Sequence, residues 1–125
     1  MKRSLPILFF LLLSIVSTSQ DSTILWQNTI GGSNWDTLWA SEQTPDGGYI
    51  LGGWSASDIS GDKSENSIGG ADYWVIKLDQ AGEIEWQNTI GGEGDDYLYT
   101  IALTQDGGYL SVSYTHLTLP TIYSV

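Results

Sequence analysis

The segment Trp26-Gln-Asn-Thr-Ile-Gly-Gly32 recurs without a single change as Trp86-Gln-Asn-Thr-Ile-Gly-Gly92, a shift of 86 − 26 = 60 residues. A period of this length indicates stacked copies of one supersecondary unit, each unable to bury its apolar face alone. The repeat therefore predicts the architecture, whereas it identifies no reaction. The same shift aligns Asp36 with Asp96, Leu38 with Leu98, Thr44 with Thr104, and Asp46-Gly-Gly-Tyr49 with Asp106-Gly-Gly-Tyr109.

One period contains four stretches with the alternation or composition of β-strands. Asp-Gly-Gly follows the second stretch, and Asp-Gly between apolar runs indicates a hairpin because glycine accepts the positive φ of a tight turn. No useful window beyond the first 19 residues has helical periodicity. The four predicted strands cover residues 84–90, 97–104, 49–55 and 73–78.

Four short antiparallel strands in a unit of this length are typical of a β-propeller blade. Flat aromatic rings, each able to bury about 150–250 Å², suit the space between blades. A β-solenoid or an open array of hairpins permits the same period, but hairpin turns favour the propeller because a solenoid repeats one parallel coil. We predict an all-β fold of antiparallel four-stranded repeats, a β-propeller fragment of about one and a half blades. The repeats span residues 20–111, with unit one at about 24–83 and unit two from 84.

Residues 1–19 have the pattern of a secretory signal peptide. Lys2 and Arg3 form the basic start, residues 5–16 are largely apolar, and Ser17-Thr-Ser19 supplies small residues for cleavage. A membrane anchor is the alternative, but the apolar run is shorter than the roughly 20 residues that span a bilayer. We therefore expect a secreted or cell-surface protein without membrane attachment after cleavage.

The chain is strongly acidic, with 15 Asp and Glu against 4 Lys and Arg. Removal of residues 1–19 takes away Lys2 and Arg3, which leaves a charge of 2 − 15 = −13. Such a surface repels nucleic acid and anionic lipid, so neither is an expected partner. The absence of cysteine from the sequence excludes disulfides and a lipid-modified cysteine.

The last residues depart from the repeat. Ser111 aligns with Leu51, and the following run, Val112-Ser-Tyr-Thr-His-Leu-Thr-Leu-Pro-Thr121, resembles the conceptual translation of a sequencing adapter. A divergent strand ending at Pro120 is the alternative. We expect residues 112–125 to be a non-native tail and the natural chain to be cut near Ser111, so that His116 carries no biological role.

Four motifs characterise the repeat: Ile-x-Trp-Gln-x-Thr-x-Gly-Gly, Gly94-Asp-Asp-Tyr97, Thr104-x-Asp-Gly-Gly-Tyr109 and Asp72-Tyr-Trp-Val-Ile-Lys-Leu-Asp79. Together they cover residues 24–111 and resemble repeats of secreted Bacteroidetes proteins. The resemblance implies propeller-like repeats after a signal peptide, commonly followed by a sorting domain for type IX secretion. The first copy departs from the second at Ser33-Asn-Trp35, where the second has Glu93-Gly-Asp95.

Several kinds of catalytic site are excluded by composition. Without cysteine, and with the single histidine, His116, in the expected non-native tail, the remaining residues cannot form nucleophilic triads or histidine–cysteine zinc sites. Asp95 and Asp96 are adjacent carboxylates, but a glycosidase pair needs about 5–9.5 Å between carboxyls on opposed surfaces. Neighbours on a strand point to opposite faces, so a turn or cap role is favoured over acid–base catalysis.

The best metal candidate is a polar loop in which Asp58, Ser60, Asp62 and Ser64 alternate with other residues. Alternate oxygen-bearing side chains can wrap calcium, which accepts six to eight oxygens. The twelfth position from Asp58 is Gly69, however, where a helix–loop–helix calcium site needs glutamate, and a nearby lysine opposes the cation. A solvated polar loop is therefore the favoured alternative, and no cofactor other than this calcium is expected.

The sequence predicts a truncated secreted repeat protein with a binding, adhesion or scaffold role, and not an enzyme. Its expected ligand is an extracellular protein or a glycan. Aromatic side chains could stack on sugars, but their strand positions favour core packing. The alternative is the N-terminal repeat region of a secreted, polysaccharide-acting hydrolase whose catalytic domain lies outside this sequence.

Overall fold

The computed structural model describes residues 23–115 and 122–123, and all regular structure among them is β. Residues 1–19 and most of 112–125 lie outside this range, so the predicted signal peptide and non-native tail stay predictions. The strands are β1 (Asp36–Gln43), β2 (Tyr49–Ser55), β3 (Asp72–Leu78), β4 (Ile84–Ile90), β5 (Asp96–Leu103), β6 (Tyr109–Thr115) and β7 (Ile122–Tyr123).

The strands form two open antiparallel sheets, in the orders β1-β2-β3-β4 and β5-β6-β7. Both predicted Asp-Gly turns have the same geometry, with φ of 85° at Gly47 and 86° at Gly107. The all-β fold of antiparallel repeats is therefore confirmed, and it is consistent with a propeller fragment. Because neighbouring strands run antiparallel, the parallel coil of a β-solenoid is wrong for the described residues, whereas an open array of hairpins stays an alternative.

The second sheet packs face to face on the first. Leu98 and Ile101 of β5 are buried against Ile50, Tyr73 and Val75, and this cluster forms the main core. The two sheets are in close contact at Gly52, since a Cβ on this residue would lie 2.8 Å from Leu98 Cδ2. A glycine in the middle of β2 thus allows one sheet to approach the other.

The other face of the first sheet is crossed by the segment of residues 23–32. Ile30 of this segment packs on a second buried cluster, Trp74, Ile76 and Leu78. Trp26 contacts Tyr49 with 5.6 Å between ring centroids, just as Trp86 contacts Tyr109 at 5.8 Å. Residues 23–32 therefore contact the first sheet in the same way that β4 contacts the second sheet.

The first sheet is consequently out of phase with the sequence repeat, since it comprises residues 36–90 and not 24–83. Trp26-Gln-Asn-Thr-Ile-Gly-Gly32 forms no strand, although its identical copy contributes to β4. The two identical segments differ in their neighbouring strands. β4 pairs with β3, whereas residues 26–32 pair with no described strand. Tertiary context thus overrides the strand propensity of this heptapeptide.

Each sheet carries a β-bulge at the same repeat position. The register of β1 with β2 shifts between Leu38 and Ala40, and that of β5 with β6 shifts between Leu98 and Thr100. A bulge re-aims the inserted side chain and bends the strand. The inserted residues are Trp39 and Tyr99.

Candidate functional site

The predicted metal loop connects β2 to β3, and its oxygen-bearing side chains bind the protein backbone. Asp58 Oδ1 accepts a hydrogen bond from Ser67 N at 3.3 Å, and Asp62 Oδ2 accepts one from Gly31 N at 3.0 Å. Among residues 23–115, no group of three or more Asp, Glu, His or Cys side chains is placed to hold a metal ion. The two aspartates thus act as tethers for loop and turn amides.

The two serines of the candidate set tie the loop to other segments. Ser60 Oγ accepts from Ser33 N at 2.9 Å and donates to Asp58 O at 2.9 Å. Ser64 contributes its backbone N–H, which donates to Gln87 Oε1 at 3.1 Å. Asp58, Ser60, Asp62 and Ser64 therefore fasten the loop at several separate points, and calcium binding there stays a prediction.

A lysine ammonium lies inside this loop. Lys63 is only 2% exposed, and its Nζ donates to Glu65 O at 2.6 Å and to Thr89 Oγ1 at 2.9 Å. Burial lowers the pKa of Lys63, while nearby carboxylates, including that of Asp72, act in the opposite direction. The loop thus contains its own cation. The sequence alone predicted only that the charge of Lys63 opposes metal binding.

Two carboxylates, the half-buried Asp36 and the buried Asp72, lie at the adjacent end of the first sheet. Asp36 Oδ1 accepts from Ser55 Oγ at 2.5 Å, and Asp72 Oδ2 accepts from Ile68 N at 2.7 Å. Within the described part of the chain, Asp72 Oδ1 is the buried side-chain oxygen that lacks a hydrogen-bond partner. Three of these four carboxylate oxygens therefore accept hydrogen bonds from groups at the strand ends.

Asp95 and Asp96 bind different backbone amides. Asp95 Oδ1 accepts from Ala71 N at 3.0 Å, and Asp96 Oδ2 accepts from Gly92 N at 2.7 Å. The equivalent Asp36 Oδ2 accepts from Gly32 N at the same distance, 2.7 Å. The recurring aspartate thus binds a loop amide in both repeats, and Asp95 and Asp96 each have a structural use.

A second buried lysine organises the opposite end of the sheet. Lys77 is 3% exposed, and its Nζ lies 2.9 Å from both Asp46 Oδ2 and Glu85 Oε2. Burial lowers the pKa of Lys77, but its hydrogen bonds to Glu85 and Asp46 outweigh this and raise it overall. The Thr44 hydroxyl, followed by Lys77, holds the pKa of Asp46 far below its usual range.

This lysine explains two motifs whose connection was not predicted from the sequence. A Cβ on Gly48 would lie 2.2 Å from Leu78 O and 2.6 Å from Lys77 Nζ, so Asp46-Gly-Gly-Tyr49 must leave space for the lysine. Asp-Gly-Gly-Tyr and Lys-Leu-Asp are therefore two halves of one structural contact. The available signal was that Lys63 and Lys77 are the only basic residues of the repeats.

Two exposed aromatic residues lie at the bulges. Trp39 is 54% exposed and Tyr99 is 46% exposed, and their ring centroids are 5.4 Å apart at an interplanar angle of 62°. Trp35, just before β1, is also exposed, whereas Tyr73 and Trp74 of β3 are buried. The expectation that aromatic side chains pack in the core is thus confirmed for β3 and wrong for the two residues at the bulges.

No family model matches the sequence, and no curated protein matches it either. Among the residues that the structure describes, no helix has the length and apolarity to cross a membrane.

Proposed function

We propose that this chain is part of an exported repeat protein with a binding, adhesion or scaffold role at the cell surface or outside the cell. It has no catalytic activity of its own. Its ligand is an extracellular protein or glycan, contacted through the aromatic pair Trp39 and Tyr99.

The exposed aromatic pair is the observation that carries this proposal. The two rings come from equivalent bulges on adjacent sheets, so the repeat presents an aromatic side chain at the same place in successive units. Aromatic rings combine a large apolar area with few rotatable bonds, which suits them to binding surfaces. The apolar C–H face of a sugar ring packs well on such side chains, and this favours a glycan ligand.

The use of the polar side chains supports a role without catalysis. Asp95 and Asp96 accept bonds from backbone amides, and Asp46 is paired with a buried lysine. A general acid or base must be within reach of a substrate proton. Carboxylates committed to turns and strand ends are poorly suited to that task.

Affinity electrophoresis in gels that contain neutral or anionic polysaccharides tests the proposal. We expect a neutral polysaccharide to retard the chain, because a strongly acidic protein is repelled by anionic polymers. Trp39→Ala and Tyr99→Ala should each remove most of the retardation. Ile59→Ala is the matched control, since Ile59 is an exposed apolar side chain on a different segment.

Equal retardation of Trp39→Ala and the unchanged chain would contradict a role for the aromatic pair. Polysaccharide hydrolysis that is abolished by Asp95→Asn or Asp96→Asn would contradict the absence of catalysis. The two results are separable because one measures binding and the other measures released reducing sugar.

A further inference from the structure

The aromatic pair Trp39 and Tyr99 has a second pair of rings beside it, also formed between the two sheets. Tyr97, two residues before Tyr99 on β5, contacts Trp54 of β2 with 5.3 Å between ring centroids and an interplanar angle of 79°. Trp54 and Tyr97 are half-buried, whereas Trp39 and Tyr99 are exposed. The exposed pair is thus the accessible part of a set of four rings.

The exposure of this pair does not result from a missing neighbour. Trp39 is exposed although the following unit is in place, and Tyr99 is exposed although the preceding unit is in place. The two residues occupy the same repeat position, 99 − 39 = 60 residues apart. Neither neighbouring unit therefore covers the ring at this position.

A carboxylate lies next to these rings. Asp95 is exposed, and its Oδ1 accepts a hydrogen bond from Ala71 N at 3.0 Å, which fixes the side chain at the start of β5. Burial, followed by the negative charge of Asp95, raises the pKa of Tyr97, and the nearby Tyr99 acts in the same direction. Asp95 and Tyr99 therefore both lie close to Tyr97, which connects the carboxylate to the exposed pair.

The described surface has no exposed basic side chain that could pair with this carboxylate. Lys63 and Lys77 are the only basic residues among residues 23–115, and both are buried with their ammonium groups hydrogen-bonded inside the protein. Aromatic rings attract a cation over their faces, and a carboxylate beside them adds to the attraction. The site therefore favours a positively charged ligand over a neutral ligand of the same shape.

We propose that the glycan bound by Trp39 and Tyr99 carries free amino groups, as a polymer of amino sugars does, and that Asp95 binds one of its ammonium groups. This inference rests on the proposed function and names the class of glycan. The apolar face of a sugar ring packs on the exposed rings, while an ammonium group on the same chain donates a charge-assisted hydrogen bond to Asp95. A basic peptide has the charge but lacks the sugar ring.

Titration calorimetry of the full chain with two matched oligosaccharides tests this inference. One is a β-1,4-linked oligomer of glucosamine, and the other is the same oligomer after N-acetylation, which removes its positive charge. In weakly acidic buffer, where the amines are protonated, we expect the glucosamine oligomer to bind about tenfold more tightly. Trp39→Ala should weaken the binding of both. Equal affinities of the unchanged chain for the two oligomers would overturn the inference and leave a glycan ligand in place.

Asp95→Asn tests the carboxylate, since the Oδ1 of asparagine can still accept from Ala71 N. This variant should lose most of the preference for the glucosamine oligomer and keep its affinity for the N-acetylated oligomer. Glu83→Gln is the matched control because it makes the same change in net charge at an exposed carboxylate in the turn before β4. Equal losses in the two variants would overturn the assignment to Asp95 in favour of the overall negative charge.

Penta-lysine provides the comparison with a basic polypeptide. It carries positive charge without a sugar ring and should bind more weakly than the glucosamine oligomer. Binding of penta-lysine that equals that of the oligomer, and that persists in Trp39→Ala, would overturn the inference in favour of a basic protein partner. Binding of neither oligosaccharide would contradict the glycan ligand of the proposed function itself, so the two failures are distinguishable.

Discussion

Two buried lysines determine the polar structure at the two ends of the first sheet. Lys63 joins the long loop to β4 through Thr89, and Lys77 joins a hairpin to Glu85. Both ammonium groups are removed from water, which is costly unless hydrogen bonds and nearby charges compensate. Their partners are therefore part of the fold.

Replacement of Lys63 should loosen the loop of residues 57–71. We expect Lys63→Met to lower the free energy of unfolding by about 1–3 kcal/mol, because Glu65 O and Thr89 Oγ1 lose a buried donor. Urea unfolding followed by tryptophan fluorescence measures this change. Ser64→Ala is the control, since Ser64 acts through its backbone N–H. An unchanged midpoint for Lys63→Met would show that the ammonium is dispensable.

The aspartates of the two Asp-Gly turns should make the fold sensitive to acid. Hydrogen bonds from Thr44 and Thr104 hold the pKa values of Asp46 and Asp106 below the ordinary 3.8. The folded state therefore binds these protons more weakly than the unfolded state. Their stabilisation is full above the ordinary value and is lost as pH falls through the folded-state values.

Urea midpoints at neutral and acidic pH test this linkage. We expect Asp46→Asn to be less stable than the unchanged chain at pH 7, with a difference that shrinks below about pH 3. Glu93→Gln serves as the control because it removes an exposed carboxylate from a turn. A difference that is the same at both pH values would argue against the Asp46 carboxylate as its origin.

Strand positions were largely predictable because each strand has apolar residues on at least one face and ends at a turn signal. The expected ranges 49–55 and 84–90 coincide with β2 and β4. The heptapeptide at residue 26 shows the limit of such reasoning, since identical local sequence cannot report whether a neighbouring strand is present. Strand pairing depends on both segments that form the pair, so the sequence of one segment does not determine it.

Hydrogen exchange should separate the two identical segments. Amides of β4 bond to β3, whereas the copy at 26–32 has no described strand beside it. We expect the peptide containing residues 86–90 to exchange at least tenfold more slowly than that containing residues 26–30. Mass spectrometry distinguishes the two through their different flanking residues. Equal protection would mean that residues 26–30 also have a strand partner.

The tight approach of the first hairpin to Lys77 makes Gly48 sensitive to substitution. Its added Cβ would meet a backbone oxygen, Leu78 O, at 2.2 Å. We expect Gly48→Ala to lower the free energy of unfolding by about 1–3 kcal/mol. Gly94→Ala, where nothing lies within 4 Å of the added Cβ, should change it by less than about 0.5 kcal/mol. Equal effects would contradict the packing explanation.

At the scale of the whole molecule, stability comes from the contact between the sheets. The long period predicted that neighbouring units would bury each other's faces, and the cluster around Leu98 confirms this. Periodicity did not predict the bulges or the partner of each buried lysine, because both depend on distances between segments far apart in the chain. Trp39 therefore entered the candidate site only through the structure.

Equivalent leucines provide a direct measure of this contact. Leu98 is fully buried between the sheets, while Leu38 is mostly exposed. We expect Leu98→Ala to lower the free energy of unfolding by about 2–5 kcal/mol. At low protein concentration, Leu38→Ala should change it by less than about 0.5 kcal/mol. Similar losses in urea unfolding would show that both faces are covered in solution.

The first sheet begins and ends about ten residues later than the sequence repeat. This difference affects how a gene for such a chain can change length. A deletion of residues 27–86 joins Trp26 directly to Gln87, and the junction still reads Trp-Gln-Asn-Thr-Ile-Gly-Gly. The deletion removes β1, β2, β3 and the start of β4, while residues 87–90 stay joined to Trp26 and lie before the next sheet as residues 27–30 lie before the first. Recombination between the two identical stretches therefore adds or removes complete structural units without creating a new boundary.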